Sequence, residues 1–315
     1  MSRFHILSLD GGGLKGLFTA SFLDCWERDV DQRVVDQFDL IVGTSTGGII
    51  ALALGLGFSA AEIVRFYREE AETIFPKACL SNLKHWVQVK YSAAGLEAAL
   101  TKYFGNRTLG QSVRPLVIPA FYAQRREIYL FKTPHHVHLR QDWREKATLV
   151  ARSTAAAPTF FPPVEKALGL ELVDGGVWAN NPVMIGVAEA LGYLSRPQSE
   201  IAAVRIGTTC AACSMDEFPT QGGKTVMIAP AIAYMTEGQE KSASAMALHI
   251  LGEERYHEVN PIAAPSEFSL DKLSENLIGL GQFEYRTHSA RLADKHFLRH
   301  KPFEYQPYYP EPHNG

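Results

Sequence analysis

A chain of 315 residues with 46% hydrophobic and 21% charged side chains has a soluble globular composition and room for one large core or two modest ones. Its formal net charge of −3 provides no basic field, which argues against binding a nucleic-acid polymer while leaving room for a small anion in a local basic pocket. Four cysteines are too few for a disulfide framework, and Cys210 and Cys213, although spaced C-x-x-C, lack the further ligands of a zinc site, so the pair reads as small loop residues after a strand.

From the N-terminus, Phe4–Leu9 reads as a strand entered at once, without the apolar length or cleavage site of a signal peptide. Asp10-Gly11-Gly12-Gly13-Leu14-Lys15-Gly16 follows, leading into a helix expected over Leu14–Arg28. Three successive glycines at a helix start expose backbone N–H groups where an anion is stabilised. In an acyl hydrolase such a loop is an oxyanion hole, each donor being worth ~100-fold or more in rate. A nucleotide phosphate loop is the weaker reading: Gly11, Gly13 and Gly16 have the G-x-G-x-x-G spacing, a weak signal by itself, and no Gly-Lys-Ser/Thr of a Walker motif occurs.

The next strand, Phe38–Val42, runs into Gly43-Thr44-Ser45-Thr46-Gly47 and a helix over about Gly47–Leu56. Leu40 to Phe58 has the length of a membrane span, but five glycines interrupt it and Asp39 abuts it, so strand–turn–helix is the better reading. Ser45 then lies on the connecting turn. Small neighbours permit a strained elbow that exposes its hydroxyl, and the positive end of the following helix favours negative charge there. The motif alone is equally a tight turn with structural glycines.

Helices are expected over Ala60–Thr73, Ala93–Tyr103, Ala147–Ala156 and Pro182–Leu194, and strands over Leu116–Phe121, Ile128–Phe131, Glu171–Val173 and Ala203–Ile206. The alternation specifies an α/β layered core. Asn180-Asn181-Pro182 has the polar cap and early proline that start a helix. Asp174-Gly175-Gly176 places a carboxylate at the end of a strand, beside glycines that let another group approach. Alone, Asp174 reads as a turn residue; with Ser45 it would form a dyad. A carboxylate with an ordinary pKa near ~4 is a weak base, so burial or direct geometry must assist it. Of eleven histidines six follow Asp174, which leaves a Ser-His-Asp triad esterase open by chain order, although none sits in a motif resembling a catalytic loop.

Beyond Gly207, Ala229–Leu251 is rich in alanine and methionine and helical in period, and Ser289–Arg299 reads as a further helix. Lys301 to Gly315 reads as an irregular tail or a segment packed over the surface. The expected organisation is a catalytic core over residues 1–210 and a mainly helical part over 211–315 packed on it as one compact unit.

The glycine loop at residues 10–16, the G-x-S-x-G turn and Asp174-Gly175-Gly176, in that order, resemble the patatin-like phospholipase family. Ala151–Pro163 is similar to the block that precedes the aspartate in that family, so the likeness covers residues 4 to about 210. Glu254–Pro261 is only loosely similar to the family's later segment. The resemblance implies a three-layer α/β/α fold related to cytosolic phospholipase A2, a Ser45/Asp174 dyad without histidine, and oxyanion donors from Gly11, Gly12 and Gly13. Lys15 stands where the family often has arginine; it keeps the charge without the planar fork and is a candidate anion contact. The implied activity is hydrolysis of fatty-acyl esters of membrane phospholipids by a cytoplasmic protein acting at the inner membrane surface, with no metal or other cofactor required. The design also resembles stand-alone patatin effectors of bacterial antiphage systems. That likeness implies a cyclic dinucleotide activator and makes the Ala229–Leu251 helix a candidate regulatory or homo-oligomerisation surface, although by periodicity it is a plain core helix. A reading from another class is a non-catalytic lipid-binding or scaffold protein on the same fold; the presence of both Ser45 and Asp174 argues against it.

Overall fold

Strand β1 (Phe4–Leu9) lies inside a mixed sheet, parallel to β2 (Leu40–Gly43) on one side and β7 (Ile201–Ile206) on the other. The computed structural model describes residues 3–76, 89–167, 169–211, 224–263 and 268–309; Cys213 and the last residues of the C-terminal stretch lie outside them. Among the described residues the main sheet has eight strands in the order β5–β6–β3–β2–β1–β7–β9, with β4 also on β3. Here β3 is Leu116–Tyr122, β4 Glu127–Lys132, β5 Val164–Ala167, β6 Leu170–Asp174 and β9 Tyr256–Val259. A small second sheet pairs β8 (Cys210–Ala211) with β10 (Ile262–Ala263).

The central strands are apolar throughout because both faces are covered. Alternate residues of β1 serve different cores: Leu7 and Leu9 face one cluster, Phe4 and Ile6 the other. The first cluster is built with α1 (Gly16–Val30), α2 (Thr46–Gly55), α3 (Ala60–Ile74), α4 (Ala93–Phe104), α5 (Ala147–Thr154) and α9 (Asn276–Asp294). The second packs α7 (Val183–Leu191) and α8 (Lys224–Leu251) on the opposite face, and the short α6 (Gly176–Ala179) joins β6 to α7. The result is the expected three-layer α/β/α arrangement.

Element boundaries follow local chemistry. A Ser59–Glu62 capping box starts α3, and α1 stops where Asp31 turns left-handed at φ 54°. The Ser289–Arg299 helix is displaced: α9 begins at Asn276 and ends at Asp294, because His296 and Arg299 take φ of 63° and 59°. Its early part contains Gly279 and Gly281, which weaken a helix in isolation. Here Gly281 serves packing, since a Cβ on it would lie 2.8 Å from the Phe18 carbonyl of α1. Helix α7 also ends earlier than expected, at Leu191 before Gly192.

The C-terminal part is mainly helical, and it also contributes β9 to the main sheet. The tail packs over the surface as far as Tyr309: Phe303 N–H donates to Asp39 Oδ1 at 2.6 Å and Tyr308 N–H to the Pro134 carbonyl at 2.8 Å. Leu40 to Phe58 is strand, turn and helix, and no helix among the described residues is long and apolar enough to cross a membrane.

Candidate active site

The register of β3 places the two principal site residues. Strand β4 occupies one edge of β3 over Val117–Tyr122, so β2 and β6 must share the other. Val42 pairs with Val117 and Asp174 with Ala120, which brings the C-terminal ends of β2 and β6 face to face. Ser45 leaves β2 through a turn with φ 54° and ψ −120°, a conformation unusual for a residue with a side chain. The turn is tight enough that a Cβ on Gly47 would sit 2.2 Å from the Leu9 carbonyl oxygen, so glycine is required there.

Three hydrogen bonds hold the turn. Ser45 N–H donates to Thr154 Oγ1 at 3.0 Å, and Thr154 Oγ1 donates onward to the Pro119 carbonyl at 2.6 Å. Thr44 Oγ1 donates to the Ala179 carbonyl at 2.7 Å, tying the turn to the segment that follows Asp174. The hydroxyls of Thr46 and Tyr67 are in contact behind it. The first turn of α2 begins at Thr46, so its free amides and dipole lie beside the Ser45 hydroxyl.

Ser45 Oγ donates to Asp174 Oδ2 at 2.7 Å, and Gly176 N–H donates to Asp174 Oδ1 at 2.6 Å. Asp174 is 4% exposed. Burial pushes its carboxyl up to about 6, against the pull of the two hydrogen bonds. A carboxyl in that range is a better proton acceptor than a solvated aspartate. Among the described residues no histidine lines the cavity around Ser45.

The glycine loop differs from expectation at one position. Gly11 N–H donates to the Asn180 carbonyl at 3.1 Å and is therefore engaged, which removes Gly11 from the candidate oxyanion donors. Gly12 and Gly13 remain; among the described residues no acceptor takes their N–H groups, and both line the cavity with Ser45. Gly13 has φ 57°, and a Cβ there would lie 2.2 Å from the Leu270 carbonyl. Lys15 lines the same cavity, its Nζ donating to the Thr209 carbonyl at 3.2 Å. Burial lowers its ammonium pKa, an effect partly offset by Glu240.

From Ser45 and Asp174 the cavity, about 610 Å³, extends between apolar side chains that include Ile49, Phe66, Ile74, Phe75, Leu96 and Phe161. This is room and lining for an acyl chain. Around it stand three exposed apolar residues from separate elements: Val177 of α6, Met235 of α8 and Leu270, exposed by 50%, 75% and 41%. Among the described residues no group of three or more His, Cys, Asp or Glu is arranged to hold a metal ion. Cys210, expected as a loop residue, is a free thiol in β8 paired with β10, and Cys213 is outside the described residues.

Several site residues were not singled out from the sequence. Thr154 lies within the Ala151–Pro163 block without a visible role, and Asn180 had none beyond its place in the Asn180-Asn181-Pro182 capping stretch, whose cap was expected at Asn181. In the fold it is Asn181 Oδ1 that accepts from Val183 N–H at 3.0 Å, while Asn180 faces the glycine loop. Arg205 and Glu240 carried no local signal.

The patatin-like phospholipase family model matches residues 7–187. The chain is 36% identical over 208 residues to a cGAMP-activated phospholipase of Pseudomonas aeruginosa, covering 65% of this chain and 62% of that protein. It is 33% identical over 225 residues to a cGAMP-activated phospholipase of Vibrio cholerae, covering 65% and 63%. The chain thus spans about three fifths of the length of these curated relatives. Among solved structures, VipD from Legionella pneumophila superposes with a TM-score of 0.53 over 94% of this chain and 67% of that one at 12% identity, which is likeness of fold. Matched by the family model over more than half its length and folded around the turn, glycine loop and buried aspartate described above, the chain belongs to the patatin-like phospholipase family.

Proposed function

We propose that the chain is a serine lipid acyl hydrolase that cleaves fatty-acyl esters of phospholipids with Ser45 as nucleophile and Asp174 as base. The observation that carries this reading is the 2.7 Å hydrogen bond from Ser45 Oγ to a buried carboxylate at the end of an apolar cavity. Asp174 takes the hydroxyl proton as Oγ attacks the ester carbonyl, and Gly12 and Gly13 N–H hold the negative charge that develops on the carbonyl oxygen. Collapse of the tetrahedral intermediate passes the proton from Asp174 to the departing lysolipid oxygen. Water, deprotonated by the same carboxylate, then attacks the acyl-Ser45 ester, and the fatty acid leaves as Asp174 returns the proton to Ser45 Oγ. Residues lining the cavity supply the acyl site, and Lys15 is placed to meet the phosphate of the headgroup.

Three curated relatives are named cGAMP-activated phospholipases, which supports a cyclic dinucleotide as activator here; we propose in addition, on the resemblance in sequence alone, a role in antiphage defence at the inner surface of the membrane. The exposed Met246 and Leu248 of α8, at 47% and 43%, support this helix as the surface for assembly into a homo-oligomer. Fatty-acid release from phospholipid vesicles, with and without cGAMP, tests the whole reading. Wild type should release fatty acid, more so with nucleotide, and Ser45→Ala should release none. Equal rates with and without cGAMP would remove the switch, and release by Ser45→Ala would remove the nucleophile.

A further inference from the structure

Arg205 is 2% exposed next to the C-terminal end of β7, an expensive place for a charge unless it is paired. It is paired three ways. Its Nε donates to Asp10 Oδ2 at 2.9 Å, with Nη2 on the same oxygen. Its Nη1 meets Glu258 on the neighbouring strand β9 and donates to Ser244 Oγ of α8 at 2.9 Å. Nη2 also lies 3.5 Å from Glu240 Oε2 of α8. A planar guanidinium suits this multiple contact where an ammonium would not.

Both routes out of this cluster lead to the glycine loop. Asp10 immediately precedes Gly11, Gly12 and Gly13. Glu240 Oε1 accepts from Asn180 Nδ2 at 2.5 Å, and Asn180 in turn accepts Gly11 N–H on its carbonyl. A Cβ on Gly11 would fall 2.3 Å from Asn180 Oδ1 and 3.3 Å from Ser45 Cβ, so loop, asparagine and nucleophile leave each other no slack. The neighbouring rungs are paired as well: Asn181 N–H donates to Gln239 Oε1, and Gln239 Nε2 donates to the Asn181 carbonyl, both at 3.0 Å. The second route has an electrostatic consequence. Glu240 lines the cavity in which the oxyanion forms, and an unneutralised carboxylate there opposes that charge.

We propose that Arg205 is a positioning residue for the oxyanion donors, holding the loop from Asp10 on one side and through Glu240 and Asn180 on the other, with the same guanidinium offsetting part of the Glu240 charge. The inference rests on the hydrolase reading above. It makes α8 part of the active site: whatever displaces that helix releases Glu240 from Asn180 and loosens the glycine loop. Arg205 itself touches no substrate.

The test is turnover of a soluble short-chain nitrophenyl ester by the full chain, with active serines counted by a fluorophosphonate probe. Arg205→Met should lower kcat per active serine about 100-fold with KM changed less than about threefold, the loss expected when an oxyanion donor is misplaced. Arg205→Lys should recover part of that loss. Because removing one partner of a buried ion pair also threatens folding, the less buried Glu240 supplies a second series. Glu240→Ala should lose about 30-fold in kcat, and Glu240→Gln, whose amide oxygen still accepts from Asn180, about threefold. Wild-type kcat per active serine in folded Arg205→Met, or equal kcat in the two Glu240 variants, overturns the proposal while leaving the hydrolase reading intact. An inactive wild type, with or without cGAMP, overturns both.

Discussion

Ser45 Oγ and Asp174 Oδ2 stand 2.7 Å apart because their strands end on the same edge of β3, with Val42 opposite Val117 and Asp174 opposite Ala120. The contact is thus set by sheet register, which side-chain substitution leaves in place. Ser45→Ala and Asp174→Asn should therefore keep the fold, shown by unchanged far-UV circular dichroism, and each lower fatty-acid release by about 1,000-fold or more. A folded Asp174→Asn protein with more than about a tenth of wild-type kcat would show that another group takes the proton.

The raised pKa of Asp174 predicts opposite pH trends for activity and stability. The base acts only when ionised, so kcat/KM should rise with pH through about 6 and level off above. Stability runs the other way. A carboxyl held at about 6 in the fold against an ordinary 3.8 favours the protonated state. Its contribution is full below the lower value and is lost as pH rises through the upper, roughly 3 kcal/mol in all. Asp174→Asn is free of that loss and should melt above wild type at pH 8, the difference closing toward pH 4. Thermal melts of both proteins across this range check the sign.

What was legible beforehand was the chemistry that depends on local conformation. A serine between glycines after a strand, three glycines before a helix and an aspartate before two glycines each declare a backbone geometry in a few residues. What was hidden depends on long-range register. Nothing near Gly11 indicates that Asn180, 169 positions away, takes its amide hydrogen. Arg205 occupies an apolar strand pattern, and only the pairing of β7 with β1 and β9 sets it between Asp10 and Glu258. The extent of α9 was obscured by Gly279 and Gly281, which look like helix breakers; only for Gly281 does α1, packed against it, give the reason.

Gly13 tests the glycine loop without touching either member of the dyad. Its φ of 57° and the Leu270 carbonyl, 2.2 Å from where a Cβ would lie, leave no space for alanine without shifting the loop. Gly13→Ala should lower kcat about 100-fold or more on any ester, because its own N–H is one of the two remaining candidate donors. Fluorophosphonate labelling of Ser45 should slow alongside, since the phosphoryl oxygen needs the same donors. Hydrolysis within threefold of wild type would move the oxyanion site elsewhere.

Substituting Lys15 tests whether the site separates phospholipid from neutral lipid. Its ammonium lines the cavity and is held by the Thr209 carbonyl at 3.2 Å, and burial lowers its pKa, so a phosphate partner gains from meeting it in a partly desolvated site. Lys15→Gln should reduce kcat/KM about tenfold on phosphatidylglycerol and no more than about threefold on a diacylglycerol with the same chains. Equal losses on both substrates would assign Lys15 to the loop's structure and not to the headgroup.

Acyl-chain length should be read by the apolar end of the cavity, where Leu96 of α4 projects from a position 2% exposed beside Ile74, Phe75 and Phe161. A larger side chain at this point shortens the space available beyond Ser45 without altering the dyad. Each methylene kept out forfeits about 0.8 kcal/mol of burial, roughly fourfold in kcat/KM. Leu96→Trp excluding three methylenes should therefore lower the preference for a C16 over a C4 nitrophenyl ester on the order of 50-fold. The added bulk strains the core by about 1–3 kcal/mol, so the melting temperature should fall while C4 turnover persists. Both rates come from one preparation, so their ratio is insensitive to the folded fraction. An unchanged ratio in a folded variant would place the acyl chain elsewhere and leave this cavity without its proposed role.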